Sequence, residues 1–211
     1  MCFSAAASFT ASSVLFVTGG CALYRAIRNN PKYIFLALVP IFFAIQQAIE
    51  GAVWLNPNNQ ILSFAYLFFA YFMWPPYIGL SVYAVEEDPK RKKYLMYLTI
   101  LGFLVGCILY VPAVLKWYLI KPSIVQNAIC YHVDLSDLYV ESLAICYLAI
   151  LFFDTILSSN QFLKFFGALL ALSFVITYLF YQHAFTSVWC FFGAILSIFI
   201  LMIIPKKRVK K

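Results

Sequence analysis

The stretch KRKKYLMYLTILGFLVGCILYVPAVL, residues 90–115, predicts the fold class of this protein. Four consecutive basic residues, 90–93, stand in front of an uncharged, mostly apolar run that extends to residue 115. A membrane-spanning helix needs about 20 apolar residues, and no open sheet or irregular loop can cross the hydrocarbon without leaving backbone groups unsatisfied. The stretch therefore predicts a transmembrane helix with a basic flank.

Six further apolar stretches of similar length predict a seven-helix transmembrane bundle. The predicted spans cover residues 8–28, 33–55, 61–85, 94–115, 137–157, 162–182 and 185–204. With 211 residues in seven spans the connections must be short, so we expect one all-α domain over residues 1–211. The longest connection, residues 116–136, is predicted as an outer loop.

The basic residues are sorted between the connections. Thirteen of the 15 lysines and arginines follow the odd-numbered spans: Arg25, Arg28, Lys32, Lys90, Arg91, Lys92, Lys93, Lys164, Lys206, Lys207, Arg208, Lys210 and Lys211. Only Lys116 and Lys121 fall in the even-numbered connections. Because basic residues concentrate on the cytoplasmic side of membrane proteins, this pattern predicts an outer N-terminus and a cytoplasmic C-terminus.

The composition excludes several other classes of protein. A chain that is 64% hydrophobic and 11% charged has too few polar residues to cover the surface of a soluble domain. The net charge of +7 is explained by span-flanking residues beside anionic lipid, so we expect membrane lipids and no nucleic acid as partners. The six cysteines show no CxxC spacing, which argues against a zinc ribbon or a thioredoxin-type motif.

The most informative single residue is Glu50. It lies in QQAIEGAVW, residues 46–54, inside the second span and about a turn below its predicted outer end. A carboxylate within a span costs free energy, and helical spacing places Gln46, Gln47, Glu50 and Trp54 towards one face. We therefore expect that face to point into the bundle, either as a structural network between helices or as a ligand-binding or catalytic site.

Other residues capable of chemistry gather at the same predicted outer depth. Asp134, Asp137 and Glu141 recur at helical spacing at the start of the fifth span, where the two aspartates could equally be helix caps. The remaining acids, Glu86, Glu87, Asp88 and Asp154, are predicted on the cytoplasmic side, the first three in a solvated loop and Asp154 beside Lys164. The sequence therefore predicts one outward-facing polar pocket, whose expected residues are Glu50, Glu141, His132, His183, Ser187, Gln46, Gln47, Trp54, Trp74 and Trp189.

Two kinds of chemistry are open for this pocket. Carboxylates, imidazoles and thiols at one depth are the ligands that zinc or another divalent metal takes, and the candidates are Glu50, Glu141, His132, His183 and Cys2. The same carboxylates and histidines could act as a general acid and base without metal. Removal of Met1 would expose Cys2 as an N-terminal residue, able to bind metal, to bridge to Cys130 or to act as a nucleophile.

The opening Met1-Cys2-Phe3-Ser4-Ala5 resembles the start of an uncharacterised family of bacterial membrane proteins that begin MCFS or MCWS. The stretch from Gln47 to Trp54, Trp74-Pro75 and the stretch from Ser187 to Phe192 extend this resemblance over most of the chain. It implies a multi-pass protein of the bacterial inner membrane. In helix number the chain is also similar to the zinc hydrolases of the alkaline ceramidase and adiponectin-receptor superfamily, but Ser187 stands where their second paired histidine would fall.

Two functions remain open from the sequence. The first is an intramembrane, metal-assisted hydrolase of a lipid or lipid-linked substrate, with Glu50 as general base and His183, Glu141 or a bound metal activating water. The second is a protein that binds, transports or senses a small solute or a metal ion in the same pocket. In that case the helix-breaking Pro75-Pro76 pair within the third span would serve as a hinge.

Overall fold

The computed structural model of the protein describes residues 4–116, 120–132 and 137–205, and the side chains of all of these except residues 121, 132 and 137–142. The helices are α1 (Ala5–Asn29), α2 (Ile34–Leu55), α3 (Gln60–Leu67), α4 (Trp74–Val85), α5 (Pro89–Leu115), α6 (Asp137–Ile156), α7 (Gln161–Phe180), α8 (Phe185–Ser197) and α9 (Ile200–Ile203). A π-helical segment, Phe68–Met73, joins α3 to α4, and short 3-10 turns precede α2 and α8.

Side-chain caps set where several helices begin. The Ser4 hydroxyl accepts the N–H of Ala7 at the start of α1, and the Asn160 side chain accepts the N–H of Phe162 at the start of α7. Asp88 accepts the N–H groups of Lys90 and Arg91, so α5 begins at Pro89 and not at the expected residue 94. The basic residues 90–93 are thus helical, because this cap satisfies the free amides of the first turn.

The connection after α5 contains a β-hairpin that the sequence pattern did not reveal. Strand β1 (Lys121–Val125) pairs antiparallel with β2 (Ala128–His132). Gln126 and Asn127 form the two-residue turn with φ of 48° and 56°, the left-handed conformation that such a hairpin turn requires. The hairpin packs on the bundle through Tyr131, whose ring stacks on that of Tyr66 at 4.6 Å between centroids.

Two glycines of α5 allow the closest approach between helices. A Cβ at Gly102 would lie 2.8 Å from the backbone carbonyl carbon of Pro75, and one at Gly106 would lie 2.8 Å from the Phe72 carbonyl oxygen. The two glycines are four residues apart, which is the spacing of small residues at close transmembrane helix contacts. They place α5 directly against the junction of the π-helical segment and α4.

The connections after α1, α4, α6 and α8 meet at one end of the bundle, which we call the basic end. Arg25 donates to the Leu201 carbonyl at 2.9 Å, and Lys32 pairs with Glu87 at 3.5 Å. The opposite end, which we call the hairpin end, carries β1 and β2. There Ala184, just before α8, packs with Cys130 of β2.

The chain is a helical, multi-pass membrane protein. Among the described residues, six helical segments are long and apolar enough to cross a membrane: Ala5–Asn29, Pro31–Leu55, Gln60–Val85, Pro89–Leu115, Gln161–Phe180 and Gln182–Ile203. Within α6 the apolar stretch with described side chains, Leu143–Ile156, is shorter.

Candidate functional site

Glu50 is fully buried in α2 and connects that helix to α8. Its Oε1 accepts a hydrogen bond from Ser187 Oγ at 2.6 Å, and its Oε2 accepts one from Gln47 Nε2 at 3.2 Å. Gln47 lies one turn before Glu50, so helical spacing alone accounts for that bond. The bond to Ser187 joins residues 137 positions apart and depends on how α2 packs against α8.

Trp74 extends this polar cluster towards the centre of the bundle. Its indole N–H donates to Gln46 Oε1 at 2.9 Å, and its ring stacks on Phe43 with centroids 3.8 Å apart. Trp74 begins α4 immediately after the π-helical segment, and the following prolines remove two backbone donors. The Ala70 carbonyl instead accepts the Tyr147 hydroxyl of α6 at 2.9 Å, so the helix break is satisfied from a neighbouring helix.

Several buried polar residues of this region were not selected as site residues from the sequence. Cys190 of α8 lies beside Glu50, Gln46 and Tyr66. The Tyr66 hydroxyl donates to the Thr186 carbonyl at 3.4 Å, close to Ser187. From sequence alone, a tyrosine within an apolar run can be expected to face lipid or to lie at the membrane interface. The sequence therefore did not predict that Tyr66 and Tyr147 face the interior of the bundle.

Unfilled hydrogen-bonding capacity surrounds this cluster. Of the buried side-chain atoms that lack a partner within the described part of the chain, four belong to this region: Gln46 Nε2, Gln47 Oε1, Trp54 Nε1 and Trp189 Nε1. Most buried polar groups in proteins are hydrogen-bonded, so orphaned atoms of this kind point to a bound polar group. Three of the four are donors, and a ligand with acceptor oxygens would satisfy them.

A cavity of about 470 Å³ lies between α6, α7 and α8. Its inner wall includes Phe43, Trp74, Tyr147, Phe174, Trp189 and Cys190. Its outer rim includes Ile145, Phe152 and Val175, which are 66%, 38% and 49% exposed, so it opens sideways between α6 and α7. This volume is typical of small-molecule sites, which span about 300–1,000 Å³.

The cavity and the polar cluster share a wall. Trp74 and Cys190 line the cavity on one side and contact Gln46 and Glu50 on the other. Trp189 also lines the cavity, and its buried indole N–H is one of the orphaned donors. The cavity is thus lined almost entirely by apolar groups.

The structure brings together part of the predicted pocket. Glu50, Gln46, Gln47, Trp74 and Ser187 form one connected cluster, and Trp189 lies next to it on α8. His183 is exposed in the 3-10 turn Gln182–Ala184 at the hairpin end. Trp54 is half-buried near the end of α2 and is not among the residues that line the cavity.

The remaining candidates for metal binding fall outside the described residues or side chains. These are Cys2, His132 and Glu141, and the two neighbouring acids Asp134 and Asp137 also lie outside the described side chains. Among the residues whose side chains are described, no three His, Cys, Asp or Glu lie close enough to hold a metal ion together. Burial raises the pKa of the Cys130 thiol, which favours the neutral form over the thiolate that binds metal or attacks as a nucleophile.

Two acidic residues at the basic end lie in surroundings that differ from those predicted from the sequence. Glu86 is buried and not in a solvated loop: it accepts Ser159 Oγ and N at 2.7 and 2.6 Å and the N–H groups of Glu87 and Asp88 at 3.1 Å. Burial alone would raise its pKa, but these bonds outweigh burial and lower it. Asp154, expected beside Lys164, is instead fully buried in α6 without a hydrogen-bond partner in the described structure.

Comparison with known proteins identifies a family for this chain but does not identify an activity. No curated protein and no solved structure matches the chain, so the similarity to ceramidases and adiponectin receptors has no support there. One family model, described as a family of unknown function (DUF6629), matches residues 1–211. The chain therefore belongs to the DUF6629 family.

Proposed function

We propose that the protein binds a membrane amphiphile, with its apolar chain in the cavity between α6 and α7 and its polar end near Trp189. The observation that carries this proposal is an apolar cavity that opens sideways and whose lining includes Trp189, a residue with a buried indole N–H that has no partner within the described residues. In a bilayer such an opening faces lipid, so the ligand would enter from the membrane. Of the two functions left open by the sequence, this is the second, the binding or sensing of a ligand, and not the hydrolysis of a lipid.

The selectivity of such a site would come from its polar end. Lipid tails are as apolar as the cavity wall, so moving an acyl chain from bilayer to cavity gains little free energy from burial. A hydrogen bond to Trp189 made away from water would contribute more, because the acceptor has few alternative partners in hydrocarbon. We therefore expect preference for amphiphiles with a carbonyl, ester or hydroxyl oxygen near the chain.

Native mass spectrometry of protein released from mild detergent tests this proposal. The wild type should retain one amphiphile, and Ala171→Trp, which fills the cavity, should lose it. The neighbouring Leu172 is 55% exposed and does not line the cavity, so Leu172→Trp is a matched control that should retain the ligand. Equal retention by both variants, or none by the wild type, would contradict the proposal.

A second candidate is hydrolysis of a lipid ester, and one observation favours it. Ser187 Oγ donates to Glu50 Oε1 at 2.6 Å, which is the arrangement of a nucleophilic hydroxyl and its general base. Glu50 would take the Ser187 proton as the hydroxyl attacks the ester carbonyl, and would return it to the alcohol oxygen as the carbonyl–alkoxy bond breaks. Water would then hydrolyse the acyl-Ser187 ester, with Glu50 again accepting a proton and returning it to Ser187. The metal-assisted form remains a proposal as well, with zinc or another divalent metal held by residues of the hairpin end.

A fluorophosphonate probe distinguishes hydrolysis from simple binding. Labelling of the wild type at Ser187 that is lost in Ser187→Ala and Glu50→Gln would support the hydrolase. Absence of labelling in a preparation that retains its amphiphile would leave binding as the function. Elemental analysis of the same preparation decides the metal-assisted form: a stoichiometric divalent metal supports it, and its absence contradicts it.

The proposed topology has seven transmembrane helices, with α6 as the fifth, in the bacterial inner membrane. The N-terminus would lie outside and the C-terminus in the cytoplasm. The meeting of four connections at the basic end supports it, because these connections carry most of the basic residues. A cysteine placed at residue 88 should be protected from impermeant maleimide in intact cells, and labelling from outside would contradict this orientation.

A further inference from the structure

Asp154 is a buried carboxylate of α6 that is not among the residues lining the cavity. It is fully buried, and neither carboxylate oxygen has a hydrogen-bond partner within the described residues. The adjacent Thr155 lines the cavity, whereas Asp154 faces α4 and α5. An ionised carboxylate in this position would lack both water and a salt bridge to a basic side chain of the described residues, which is among the costliest states a side chain can adopt within a membrane.

The space around the carboxylate is defined by Gly79 and Thr99. A Cβ at Gly79 would lie 2.6 Å from Thr99 Oγ1 and 3.1 and 3.2 Å from the two oxygens of Asp154. The absence of a side chain on α4 therefore leaves a space that the Asp154 carboxylate and the Thr99 hydroxyl both border. Within the described residues no salt bridge joins Asp154 to a basic side chain.

The hydrogen bond of Thr99 determines what Asp154 can do. The Thr99 hydroxyl donates its proton to the Leu95 carbonyl at 2.8 Å, and in that arrangement its oxygen can accept from Asp154. An ionised carboxylate has no proton to donate, so it could bond Thr99 only if the hydroxyl turned away from Leu95. A protonated Asp154 could donate to Thr99 Oγ1 and complete a chain from Asp154 through Thr99 to Leu95.

A metal ion fits this space less well than a proton. Na⁺-, Ca²⁺- or Mg²⁺-type ions take several oxygen ligands, and here only one carboxylate and one hydroxyl converge. Three charged groups border this region on the side of the basic end. Arg91 of α5 donates to the Leu157 carbonyl at 3.3 Å, three residues after Asp154. Glu86 accepts from Ser159, beyond the end of α6, and Lys92 lies 4.7 Å from the ring centroid of Tyr83, one turn after Gly79 on α4.

We propose that Asp154 is a proton-binding site of the membrane domain, reached from the basic end, and that the bound proton forms the α5–α6 contact with Thr99. Release of that proton would leave two acceptors and a negative charge between three helices. The contact between α4, α5 and α6 would then loosen, which gives the protein a proton-dependent element distinct from the amphiphile site.

Infrared spectroscopy of the purified protein in lipid tests the proposal directly. A neutral carboxylic acid has a carbonyl stretch that is separate from the amide bands and shifts in D₂O. At neutral pH the wild type should show such a band, Asp154→Asn should lose it, and Glu50→Gln should retain it. A wild-type spectrum without a band that depends on Asp154 would overturn the proposal.

A second pair of variants keeps the test decisive if Asp154→Asn fails to fold. Thr99→Val removes the acceptor, so the acid band of otherwise wild-type protein should move to higher frequency, as for an acid without a hydrogen bond. Thr99→Ser keeps the acceptor and should leave the band in place. An acid band that is unchanged in Thr99→Val, or one abolished by added Na⁺ or K⁺ at constant pH, would contradict proton binding through this contact.

Discussion

Replacing Glu50 by alanine should destabilise the protein strongly, whereas replacing it by glutamine should not. The alanine variant leaves the donors of Ser187 and Gln47 without their acceptor in a fully buried position. A buried donor left unsatisfied costs about 1–3 kcal/mol, and measured interhelical hydrogen bonds in membranes average about 0.6 kcal/mol. For both donors together we expect a loss of about 2–4 kcal/mol in the free energy of unfolding.

The glutamine variant differs because the cluster can rearrange around it. A glutamine carbonyl at position 50 still accepts from Ser187. Its amide would meet the Gln47 amide, but Gln47 Oε1 is an orphaned acceptor within the described structure, so rotation of the Gln47 amide restores the bond. We therefore expect a cost below about 1 kcal/mol for Glu50→Gln, the worth of one ordinary hydrogen bond.

The assay is the temperature at which the monodisperse peak is lost in size-exclusion chromatography after heating. For a domain of this size 1 kcal/mol corresponds to about 2–4 °C, so Glu50→Ala should melt roughly 5–15 °C lower and Glu50→Gln within about 4 °C of wild type. Glu87→Ala is the matched control, because the Glu87 side chain is 82% exposed. Equal melting of Glu50→Ala and wild type, or of the alanine and glutamine variants, would refute the reasoning.

Three further predictions concern other parts of the fold. Because hydrogen bonds lower the pKa of Glu86, its stabilising effect should be present above its unfolded pKa of about 4.3 and be lost as the pH falls through the folded value. Glu86→Gln should flatten that acid limb in a series of melts, and an unchanged limb would contradict this role. Gly79→Ala should destabilise the protein by about 1–3 kcal/mol, because the added methyl group would overpack against Thr99. In a double-mutant cycle, Thr99→Ala should relieve part of that loss. Additive effects of the two substitutions would contradict close packing between residues 79 and 99. Gln126→Gly should stabilise the hairpin by up to about 1–2 kcal/mol, because a non-glycine residue in the left-handed conformation costs about that much. The measurement is hydrogen exchange of the β2 amides, which should become slower in the variant. Unchanged exchange would contradict the left-handed turn.

The amino-acid sequence was sufficient for the class of fold. Apolar runs separated by polar breaks predict membrane helices because a single chain must satisfy its own backbone hydrogen bonds in hydrocarbon. The start of α5 was not predicted, because Asp88 was expected in a solvated loop, whereas its side chain caps the helix by accepting the N–H groups two and three residues later. The sequence also predicted that Glu50 faces the interior of the bundle, because a carboxylate within an apolar run needs a polar partner.

Other features depend on contacts between residues far apart in the chain. The hairpin was hidden because Gln126-Asn127 is a weak turn signal beside the preferred Asn-Gly and Asp-Gly. Asp154 was expected to pair with Lys164. Helical spacing predicts on which face of a helix a residue lies, but it does not predict which neighbouring helix packs against that face. Its actual surroundings at Gly79 and Thr99 follow from how α4, α5 and α6 pack.

The amino-acid sequence by itself determined that the chain is helical and membrane-spanning, because the hydrocarbon constrains each segment separately through length and hydrophobicity. Only the tertiary structure decided that Glu50 meets Ser187, that Trp74 and Cys190 separate the polar cluster from a cavity, and that this cavity opens between α6 and α7. The physical reason is that side chains of similar hydrophobicity can face either lipid or a neighbouring helix. Close packing between helices selects one of these arrangements, and no local pattern records that choice.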